Sequence, residues 1–581
     1  MVMTVDELET ALSIPVPEDD RLILDDSRRL TGPGLLWKHY GAILDVFVDE
    51  FDKSEVAKVW SQEARRVLDA VGWQSEKSIS RVFEDGLNLA ITAPIDQLYS
   101  AIFVAQIAWH FTANRLLETE ANSLDDFVAE LLPVMQEEAN PELLALQKLA
   151  DEKAIDFLSD DDHVSLGHGI GSITWPVREI PPLDEINWDA LHNLPVALIT
   201  GTNGKSTSVR LSAAIAEAGG IVSGTTSTDY VKIGDDILDR GDYSGPGGAR
   251  MLLRDKRLEL AFLEVARGGI LRRGLALRQA QAALVTNIAN DHLGQYGINT
   301  VEALADAKFA VARTLATDGT LVLNADDPLV VNNGLKAERK VCWFSLDAEN
   351  PQIRASRAAG QACCWLEDGM IVFFDGEAEQ TVMAAADAPV TMGGAAKFNV
   401  RNVMGALCLS KALGINDTAI VQGLSTFESK PEDNPGRCNE FAAKGARVFV
   451  DFAHNPHSVE AVSDALAHLP SKRKFLLLGH AGDRSDQDIH DLTVGALAFK
   501  PDEIVIVELE EYLRGREFGE VSNLIEKACL DSGFDSARIS KADSPPQGTE
   551  LIIEKLQEGD LALLLVLDER DKVFALLEAA A

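Results

Sequence analysis

The pattern of apolar residues changes along the chain and divides it into three regions. In residues 1–190 they recur every three or four positions, as in 54–73 and 95–118, which is the periodicity of amphipathic helices. From 191 to 429, short continuous apolar runs alternate with helical patterns, as expected for buried parallel strands with helices between them. The same alternation restarts at 430. The sequence therefore predicts an α/β protein with a mainly helical N-terminal domain (1–190), a central domain built on a parallel sheet (191–429) and a smaller α/β domain (430–581).

Residues 340–390 interrupt the alternation of the central region. Their apolar runs, at 340–346 and 363–377, are short and broken by turn-forming residues. We therefore expect a small antiparallel appendage there.

Composition narrows the functional classes. Hydrophobic residues make up 46% of the chain and charged residues 25%, as in ordinary globular proteins, and the formal net charge is −39. Such a charge argues against unassisted binding to nucleic acid or anionic membranes, because phosphate contacts need clustered Lys and Arg. The six cysteines form no CxxC pair, which disfavours a structural zinc site or disulfide framework and favours a reducing compartment. The N-terminus lacks a secretory signal pattern, and the apolar stretch 98–111 is too short to span a bilayer. We therefore expect a cytoplasmic protein.

A glycine-rich turn at residues 201–207 follows the apolar run 196–200 and precedes a helical pattern. In such a turn the backbone N–H groups at the helix N-terminus face an anion, and the helix dipole reinforces them. Lys205 can reach the β- and γ-phosphates of a nucleotide, and the Ser206 hydroxyl can coordinate Mg²⁺. The predicted nucleotide contacts are therefore Gly201, Thr202, Asn203, Gly204, Lys205, Ser206 and Thr207.

The usual phosphate loop has a glycine where this chain has Ile199, so a structural turn with a chance lysine is the alternative interpretation. Other segments favour the phosphate loop, because they resemble motifs of the Mur ligase family in that family's order. These segments are 263–269, 285–294, 306–312, 324–328, 398–402, 435–438 and 451–456. The resemblance covers about 195–581, and it implies a central ATPase domain followed by a Rossmann-like C-terminal domain.

Within the family, the chain is most similar to the Mur-type ligase module of cyanophycin synthetase. The segments that carry this similarity are 240–255, 266–275, 482–489 and 513–516, with weaker upstream similarity at 29–50 and 164–173. Cyanophycin synthetase has an ATP-grasp module between its N-terminal part and its Mur-type module, and the interval 174–197 leaves no room for one here. A chain with one ATP site cannot form both bonds of that polymer alone, so the resemblance does not imply the polymer as product.

The resemblance to Mur ligases implies a set of site residues and two cofactors, ATP and Mg²⁺. The implied catalytic residues are Lys205, Glu264, His292 and Lys308, and the implied Mg²⁺ ligands are Ser206, Glu264 and His292. Many family members carbamylate the lysine that corresponds to Lys308, whereas a solvated helix residue is the alternative. The implied nucleotide contacts beyond the loop are Asn399 and Asn402 near the base, with Arg437 and Asp451 at the phosphates and ribose. The histidine that leads the family's asparagine motif is replaced by Phe398.

Arginines in this acidic chain are candidates for substrate binding, because a guanidinium can hold a carboxylate through two parallel hydrogen bonds. The candidate substrate residues are Arg267, Arg272, Asp483, Arg484, Arg514 and Arg516. For the candidates in segments 482–489 and 513–516, a solvated loop without a role in substrate binding is an equally good interpretation.

We therefore predict an ATP-dependent ligase that joins an amino-acid or peptide-like carboxylate to an amino acid or other amine through an acyl phosphate. Its partners would be small molecules, neither nucleic acid nor membrane, and homo-oligomerisation stays open. One alternative is a component of cyanophycin-like polymer synthesis that works with a separate ATP-grasp partner. Another is a regulatory protein that binds ATP without catalysis, although the chain keeps Lys205, Ser206, Glu264 and His292. The function of residues 1–190 is left open.

Overall fold

The structure is a computed structural model that describes residues 3–291 and 293–581. Strands in this part of the chain form four sheets, of four, three, eleven and six strands, which follow one another along the sequence. None of the described helices has the combination of length and apolar composition that crossing a membrane requires.

The N-terminal region combines two antiparallel sheets with helices. Its helices are α1 (Val5–Glu9), α2 (Lys53–Ala70), α3 (Leu98–Leu117), α4 (Leu124–Glu138) and α5 (Pro141–Glu152). Its strands are β1 (Leu22–Leu30), β2 (Gly41–Val48), β3 (Ser78–Val82), β4 (Gly86–Thr92), β5 (Phe157–Ser159), β6 (His163–Leu166) and β7 (Ile173–Pro176). The first four strands pair in the order β1-β2-β4-β3, and the other three form a separate sheet. α2 and α3 cover one face of the four-stranded sheet, with Trp60 and Trp109 fully buried between them.

The helical description of this region is incomplete. α2 and α3 form where the apolar periodicity predicts helices, but the sequence did not predict the strands. The reason is that the second face of the four-stranded sheet mixes buried polar side chains with apolar ones such as Ile43 and Ala90. There Arg28 Nη1 lies 2.6 Å from Asp45 Oδ2, and Asn88 Nδ2 donates to Asp45 Oδ1 at 2.7 Å. Buried charges of this kind remove the apolar alternation by which strands are recognised.

The central region is built on the eleven-stranded sheet. Its strands are β8 (Val196–Thr200), β9 (Ser223–Thr226), β10 (Tyr230–Ile233), β11 (Asp236–Arg240), β12 (Leu260–Glu264), β13 (Ala280–Val285), β14 (Leu315–Asn324), β15 (Lys340–Ser345), β16 (Cys363–Glu367), β17 (Met370–Phe374) and β18 (Glu379–Ala384). Its helices are α6 (Lys205–Ala218), α7 (Pro246–Leu253), α8 (Arg267–Arg272), α9 (Val301–Lys308), α10 (Pro328–Gly334), α11 (Pro351–Ala358), α12 (Lys397–Ala412) and α13 (Asp417–Thr426). The strand order is β11-β10-β9-β12-β8-β13-β14-β15-β16-β17-β18. In this order the seven central strands, β9-β12-β8-β13-β14-β15-β16, are parallel to one another. Apolar clusters cover both faces of this parallel part, as the continuous apolar runs predict.

The prediction of a separate antiparallel appendage at 340–390 is wrong in part. β15 pairs parallel with β14, and β16 pairs parallel with β15 after a crossover through α11. Within 340–390 the antiparallel pairs are β16–β17 and β17–β18, and these strands continue the same sheet. The error arises because α11 is short, so the alternation of strand and helix is hard to see in the sequence.

The C-terminal region has its own six-stranded sheet. Its strands are β19 (Asn439–Ala443), β20 (Ala446–Asp451), β21 (Lys474–Leu478), β22 (Glu503–Val507), β23 (Ile539–Ala542) and β24 (Leu561–Leu565). Its helices are α14 (Pro456–Ala467), α15 (Asp486–Leu497), α16 (Glu520–Asp531), α17 (Pro545–Lys555) and α18 (Arg570–Ala579). The order β19-β20-β24-β21-β22-β23 is parallel except for the β19–β20 pair.

Candidate active site

A cleft of about 1340 Å³ lies between the central and C-terminal regions. It opens at the carboxyl ends of β8, β12 and β13, the edge at which parallel α/β sheets bind ligands. Among the predicted site residues, those that line it are Thr202, Asn203, Gly204, Lys205, Ser206, Thr207, Glu264, Arg267, Lys308, Asn399, Asn402, Arg437 and Asp451. His292 lies outside the described residues.

The two glycines of the phosphate loop are required by close contacts. Gly201 has φ 146°, and a Cβ there would lie 1.9 Å from Thr286 Oγ1. Gly204 has φ 83°, and its Cβ would lie 2.3 Å from Asn402 Oδ1. Gly204 is also the residue that precedes the first turn of α6, so the N-terminus of that helix faces the cleft. This arrangement suits an anion.

The loop is fixed by the segment that follows β13, which sequence reasoning did not single out for this role. The Thr202 N–H donates to Asn287 O at 2.8 Å, and the Asn203 N–H donates to Asn287 Oδ1 at 3.0 Å. Thr286 Oγ1 donates to Asn203 O at 2.6 Å. Lys205 Nζ donates to Thr202 O at 2.9 Å, which keeps its charge beside the loop. The turn is therefore held in shape by contacts within the central region.

Glu264 is a buried carboxylate whose charge is not satisfied by hydrogen bonds. It ends β12, its side chain lines the cleft, and it is only 2% exposed. Neither Oε1 nor Oε2 has a hydrogen-bond partner among the described residues. Burying an unpaired carboxylate is costly, and a divalent cation would remove that cost. The donor set of Glu264 and the Ser206 hydroxyl consists of oxygen atoms, the ligands that Mg²⁺ prefers.

Lys308, at the end of α9, is buried rather than solvated. Its Nζ donates to Gly201 O at 2.7 Å, directly behind the phosphate loop. Burial lowers its pKa well below the ordinary value, and the nearby charge of Lys205 adds to this effect. The side chain therefore belongs to the wall of the cleft and not to the surface of the helix.

Asn399 and Asn402 lie on one face of α12 and contact each other. Asn402 Nδ2 donates to Asn399 Oδ1 at 3.0 Å, and Asn399 Nδ2 donates to Val390 O at 2.8 Å. The Asn402 carboxamide lies beside the phosphate loop, so close to Gly204 that a side chain at that position would collide with it. The base contact implied by the family motif stays a prediction.

The C-terminal region contributes Arg437 and Asp451. Asp451 accepts hydrogen bonds from the Cys438 N–H at 2.8 Å and the Ala453 N–H at 2.7 Å, so it shapes the turns on either side of it. Burial raises the pKa of Asp451 and lowers that of Arg437. The Arg437 guanidinium lies 5.2 Å from the centre of the Phe452 ring. Asp451 thus positions the turn that presents Arg437 to the cleft.

The candidate substrate residues separate into two groups. Arg267 lines the cleft, and its Nη2 donates to Gln295 Oε1 at 2.7 Å. The other candidates do not line the cleft in the described part of the chain: Arg272, Asp483, Arg484, Arg514 and Arg516. Arg484 approaches one cleft residue, with its Nη2 at 3.8 Å from Asp291 Oδ1.

Most of these predicted substrate residues do not line the cleft because their charged groups face solvent or bond to neighbouring loops. Arg272, Asp483 and Arg514 are exposed. Arg516 donates to Gly482 O at 2.9 Å and to Arg484 O at 2.8 Å, so it joins two neighbouring loops. The sequence shows the two charges of Arg514 and Arg516, but it does not show that nearby carbonyl groups already accept hydrogen bonds from Arg516.

Sequence reasoning also missed an ion-pair network that joins the two sides of the cleft. Asp229, in the loop after β9, accepts from Arg210 Nη2 at 2.6 Å and from Arg570 Nη1 at 3.2 Å. Arg210 belongs to α6 and Arg570 begins α18. The partners are too distant in sequence for any local pattern to relate them.

Comparison with known proteins decides the family. The sequence matches the Mur ligase middle domain over residues 199–410 and the glutamate ligase domain of Mur ligases over 436–565. The chain belongs to the Mur ligase family. Ligases of this family use ATP to form C–N bonds. The prediction of the family and of its α/β architecture is confirmed.

Several curated relatives are cyanophycin synthetases. That of Crocosphaera subtropica is 36% identical over 406 residues, which cover 69% of this chain and 45% of the relative. That of Synechocystis is 38% identical over 344 residues, covering 59% of this chain and 39% of the relative. A UDP-N-acetylmuramoylalanine–D-glutamate ligase of Chlorobium luteolum is 30% identical over 43% of this chain and 50% of that enzyme. The chain thus spans less than half the length of the cyanophycin synthetases it matches.

Among solved structures, E. coli FolC in complex with ADP is similar in fold. The TM-score is 0.50 at 19% sequence identity, and the match covers 66% of this chain and 89% of FolC. At this identity the likeness concerns the fold alone.

Proposed function

We propose that this chain is an ATP- and Mg²⁺-dependent ligase that joins a carboxylate to an amine and releases ADP and phosphate. The observation that carries this proposal is the position of Glu264. Its buried carboxylate lacks hydrogen-bond partners among the described residues and opens onto the cleft that also contains Lys205 and the N-terminus of α6. A phosphate loop beside a carboxylate that needs a cation suits a nucleotide–metal complex.

The proposed reaction has two steps. A carboxylate oxygen attacks the γ-phosphorus of ATP and ADP leaves, which gives an acyl phosphate. The amine then attacks the acyl carbon, phosphate leaves, and the nitrogen loses a proton. In the first step the loop N–H groups and Lys205 stabilise the charge on the phosphates and align them for attack. Mg²⁺ would neutralise further phosphate charge, with Ser206, Glu264 and His292 as its proposed ligands.

The remaining assignments follow the family motif and the cleft geometry. Lys308 is proposed as a catalytic residue, and its buried amine with a lowered pKa favours the neutral form that carbamylation requires. Nucleotide contacts are proposed for Asn399, Asn402, Arg437 and Asp451, all of which line the cleft. We also propose domain boundaries near residues 190 and 429, on either side of the eleven-stranded sheet.

For the substrates we propose an amino-acid or peptide-like carboxylate and an amino acid or other amine. Arg267 is the best placed candidate for the carboxylate, because it alone of the six predicted substrate residues lines the cleft in the described part of the chain. The similarity to cyanophycin synthetases favours a second candidate function. In that case the chain would catalyse one step in the synthesis of a cyanophycin-like polymer and would need a separate ATP-grasp partner.

The test is phosphate release from ATP and Mg²⁺ across a panel of amino acids, dipeptides and simple amines, with mass spectrometry of the products. We expect release that depends on both a carboxylate and an amine, and a product lighter by one water than the two substrates together. Glu264→Gln is the control for enzyme-dependent release. ATP binding without release across the whole panel would contradict catalysis and favour a regulatory role.

A further inference from the structure

Asn203 lies in the middle of the phosphate loop and contacts both regions that form the cleft. Its backbone is held by the central region, since its N–H donates to Asn287 Oδ1 at 3.0 Å and its carbonyl oxygen accepts from Thr286 Oγ1 at 2.6 Å. Its side chain points the opposite way, to Asn455 in the C-terminal region. Asn455 Nδ2 donates to Asn203 Oδ1 at 2.8 Å, and Asn203 Nδ2 donates to Asn455 Oδ1 at 3.2 Å.

The surroundings of Asn455 make this contact specific. Asn455 is fully buried, and its Oδ1 also accepts from the Ser458 N–H at 3.0 Å, so it caps the N-terminus of α14. A capping side chain has a fixed orientation, because its oxygen must face the first turn of the helix. The side chain of His457 is exposed, and its Nδ1 lies 3.0 Å from Asn203 Nδ2, where a neutral ring can accept a hydrogen bond.

We propose that Asn203 and Asn455 form an amide latch that holds the C-terminal region closed over the phosphate loop, with Asn203 as a positioning residue for the reaction. The proposal rests on the proposed function, since closure matters if the cleft binds ATP. The latch works because each carboxamide is fixed by its own region: Asn203 through the loop backbone and Asn455 through the cap of α14. The reciprocal hydrogen bonds form only when both regions are correctly placed.

The latch connects the phosphate loop to the residues that the C-terminal region brings to the cleft. Asn455 follows Asp451 by one short turn, and Asp451 shapes the turn that carries Arg437. If the loop shifted, the amide pair would lose its geometry, and the cleft would lose one of the contacts between its two sides, leaving the ion pairs of Asp229 with Arg210 and Arg570. Loop conformation and domain closure are therefore coupled through Asn203.

The latch can be tested on the full chain with two single variants and their combination. Asn203→Ala removes one carboxamide, and Asn455→Ser removes the other while keeping a good capping residue on α14. The matched control is Asn416→Ser, the same change at the cap of α13, where the side chain accepts from the Ala419 N–H and lies away from the cleft. All six native cysteines are buried, so cysteines introduced at the exposed Lys336 and Lys527 can be labelled selectively for energy transfer between the two regions.

Energy transfer is measured with and without ADP or a non-hydrolysable ATP analogue and Mg²⁺, and nucleotide affinity is titrated on the same samples. We expect each single variant to lower the ratio of closed to open molecules by roughly tenfold, since two hydrogen bonds are lost. The double variant should be no worse than the singles, because the two residues act as one pair. The control should match the unmodified chain.

Two results would overturn the latch: single variants that behave like Asn416→Ser, or losses that add in the double variant. A wild-type chain that binds no nucleotide would instead contradict the proposed function. The closed fraction without nucleotide would still test the latch in that case, so the two failures are distinguishable.

Discussion

The phosphate loop and the segment 480–516 both contribute polar residues near the cleft, but their polar groups are used differently. In the loop and its surroundings, Ser206 and Glu264 are buried, and Glu264 keeps its carboxylate without hydrogen-bond partners among the described residues. In the segment 480–516, Arg514 is exposed, and Arg516 donates to the carbonyl oxygens of Gly482 and Arg484 and to the carboxylates of Asp486 and Glu520. Both stretches look polar and functional in the sequence. In the structure, the Glu264 carboxylate is buried without hydrogen-bond partners among the described residues, whereas Arg516 stabilises neighbouring loops through its hydrogen bonds.

Burial without hydrogen-bond partners among the described residues distinguishes Glu264 from the exposed Arg514 and the hydrogen-bonded Arg516, although His480 Nε2 in the second segment shares that property. Burying a carboxylate without a partner makes the free energy of folding less favourable. Such groups are retained where a ligand can offset this loss of stability. An exposed arginine carries no such cost. Changes at the loop should therefore alter function strongly, whereas changes in 480–516 should mainly alter stability.

The largest effect is expected for Glu264→Gln. Phosphate release should fall about 100- to 1000-fold, because the proposed metal ligand and its charge are lost. At the same time the free energy of unfolding measured without Mg²⁺ should rise, because a buried charge without hydrogen-bond partners among the described residues is removed. Activity assays and thermal melts on the same protein test both effects. A melting temperature that falls without Mg²⁺ would contradict the account of Glu264 as an unsatisfied group.

Gly204→Ala should have the next largest effect. The new Cβ would lie 2.3 Å from Asn402 Oδ1, and φ is 83°, so we expect a loss of about 2–3 kcal/mol in stability or a weakening of nucleotide binding of corresponding size. The matched control is Gly515→Ala in the second segment. Gly515 has a similar φ of 95° but open space around it, so strain alone should cost about 1 kcal/mol. Equal losses for the two variants, by denaturant unfolding and nucleotide titration, would show that the contact with Asn402 is unimportant.

His480 gives the second segment a dependence of stability on pH. Burial, with the nearby charge of Arg484, lowers the pKa of His480 to about 3. Below the unfolded value of about 6.5 the unfolded chain binds a proton that the folded chain does not, so stability falls as pH drops from 6.5 towards 3. Between pH 6.5 and 5 this should cost about 2 kcal/mol.

His480→Gln should flatten the stability profile over that range when unfolding is measured at each pH against the unmodified chain. An unchanged slope between pH 6.5 and 5 would mean that His480 is accessible to protons in the folded protein.

Arg516→Ala should have a smaller effect, and one confined to stability. The variant loses hydrogen bonds to Gly482 O and Arg484 O and to the exposed carboxylates of Asp486 and Glu520, and we expect a destabilisation of about 1–2 kcal/mol with nucleotide affinity changed less than about twofold. Arg514→Ala, at an exposed position, should stay within about 0.5 kcal/mol. A large loss of substrate turnover in either variant at full nucleotide affinity would restore these arginines as substrate residues.

The parts of the site that could be predicted from sequence are those whose chemistry is local. The turn at 201–207 is readable because glycine conformation, a helix N-terminus and Lys205 are adjacent in the chain. Glu264 is readable because it ends an apolar run that forms a strand. The parallel sheets are readable for the same reason, since their buried strands are continuous apolar segments.

The rest depends on contacts between distant segments. Strand β1 was missed because Arg28 and its neighbours are buried through the ion pair with Asp45, which no periodicity reveals. Asp229 was missed because its partners Arg210 and Arg570 lie on separate elements and meet only in the folded chain. Arg516 was overinterpreted because its charge could be seen in the sequence, whereas the carbonyl groups around it could not.

The most direct test of the central claim is the affinity of the cleft for a divalent cation in the presence of a non-hydrolysable ATP analogue. Mn²⁺ can replace Mg²⁺ for this purpose, and its binding to the full chain can be followed by electron paramagnetic resonance. If Glu264 holds the metal of the nucleotide, Mn²⁺ should bind tightly to the unmodified protein and about tenfold or more weakly to Glu264→Gln. Equal Mn²⁺ affinity in the two proteins, with the analogue bound to both, would contradict the claim.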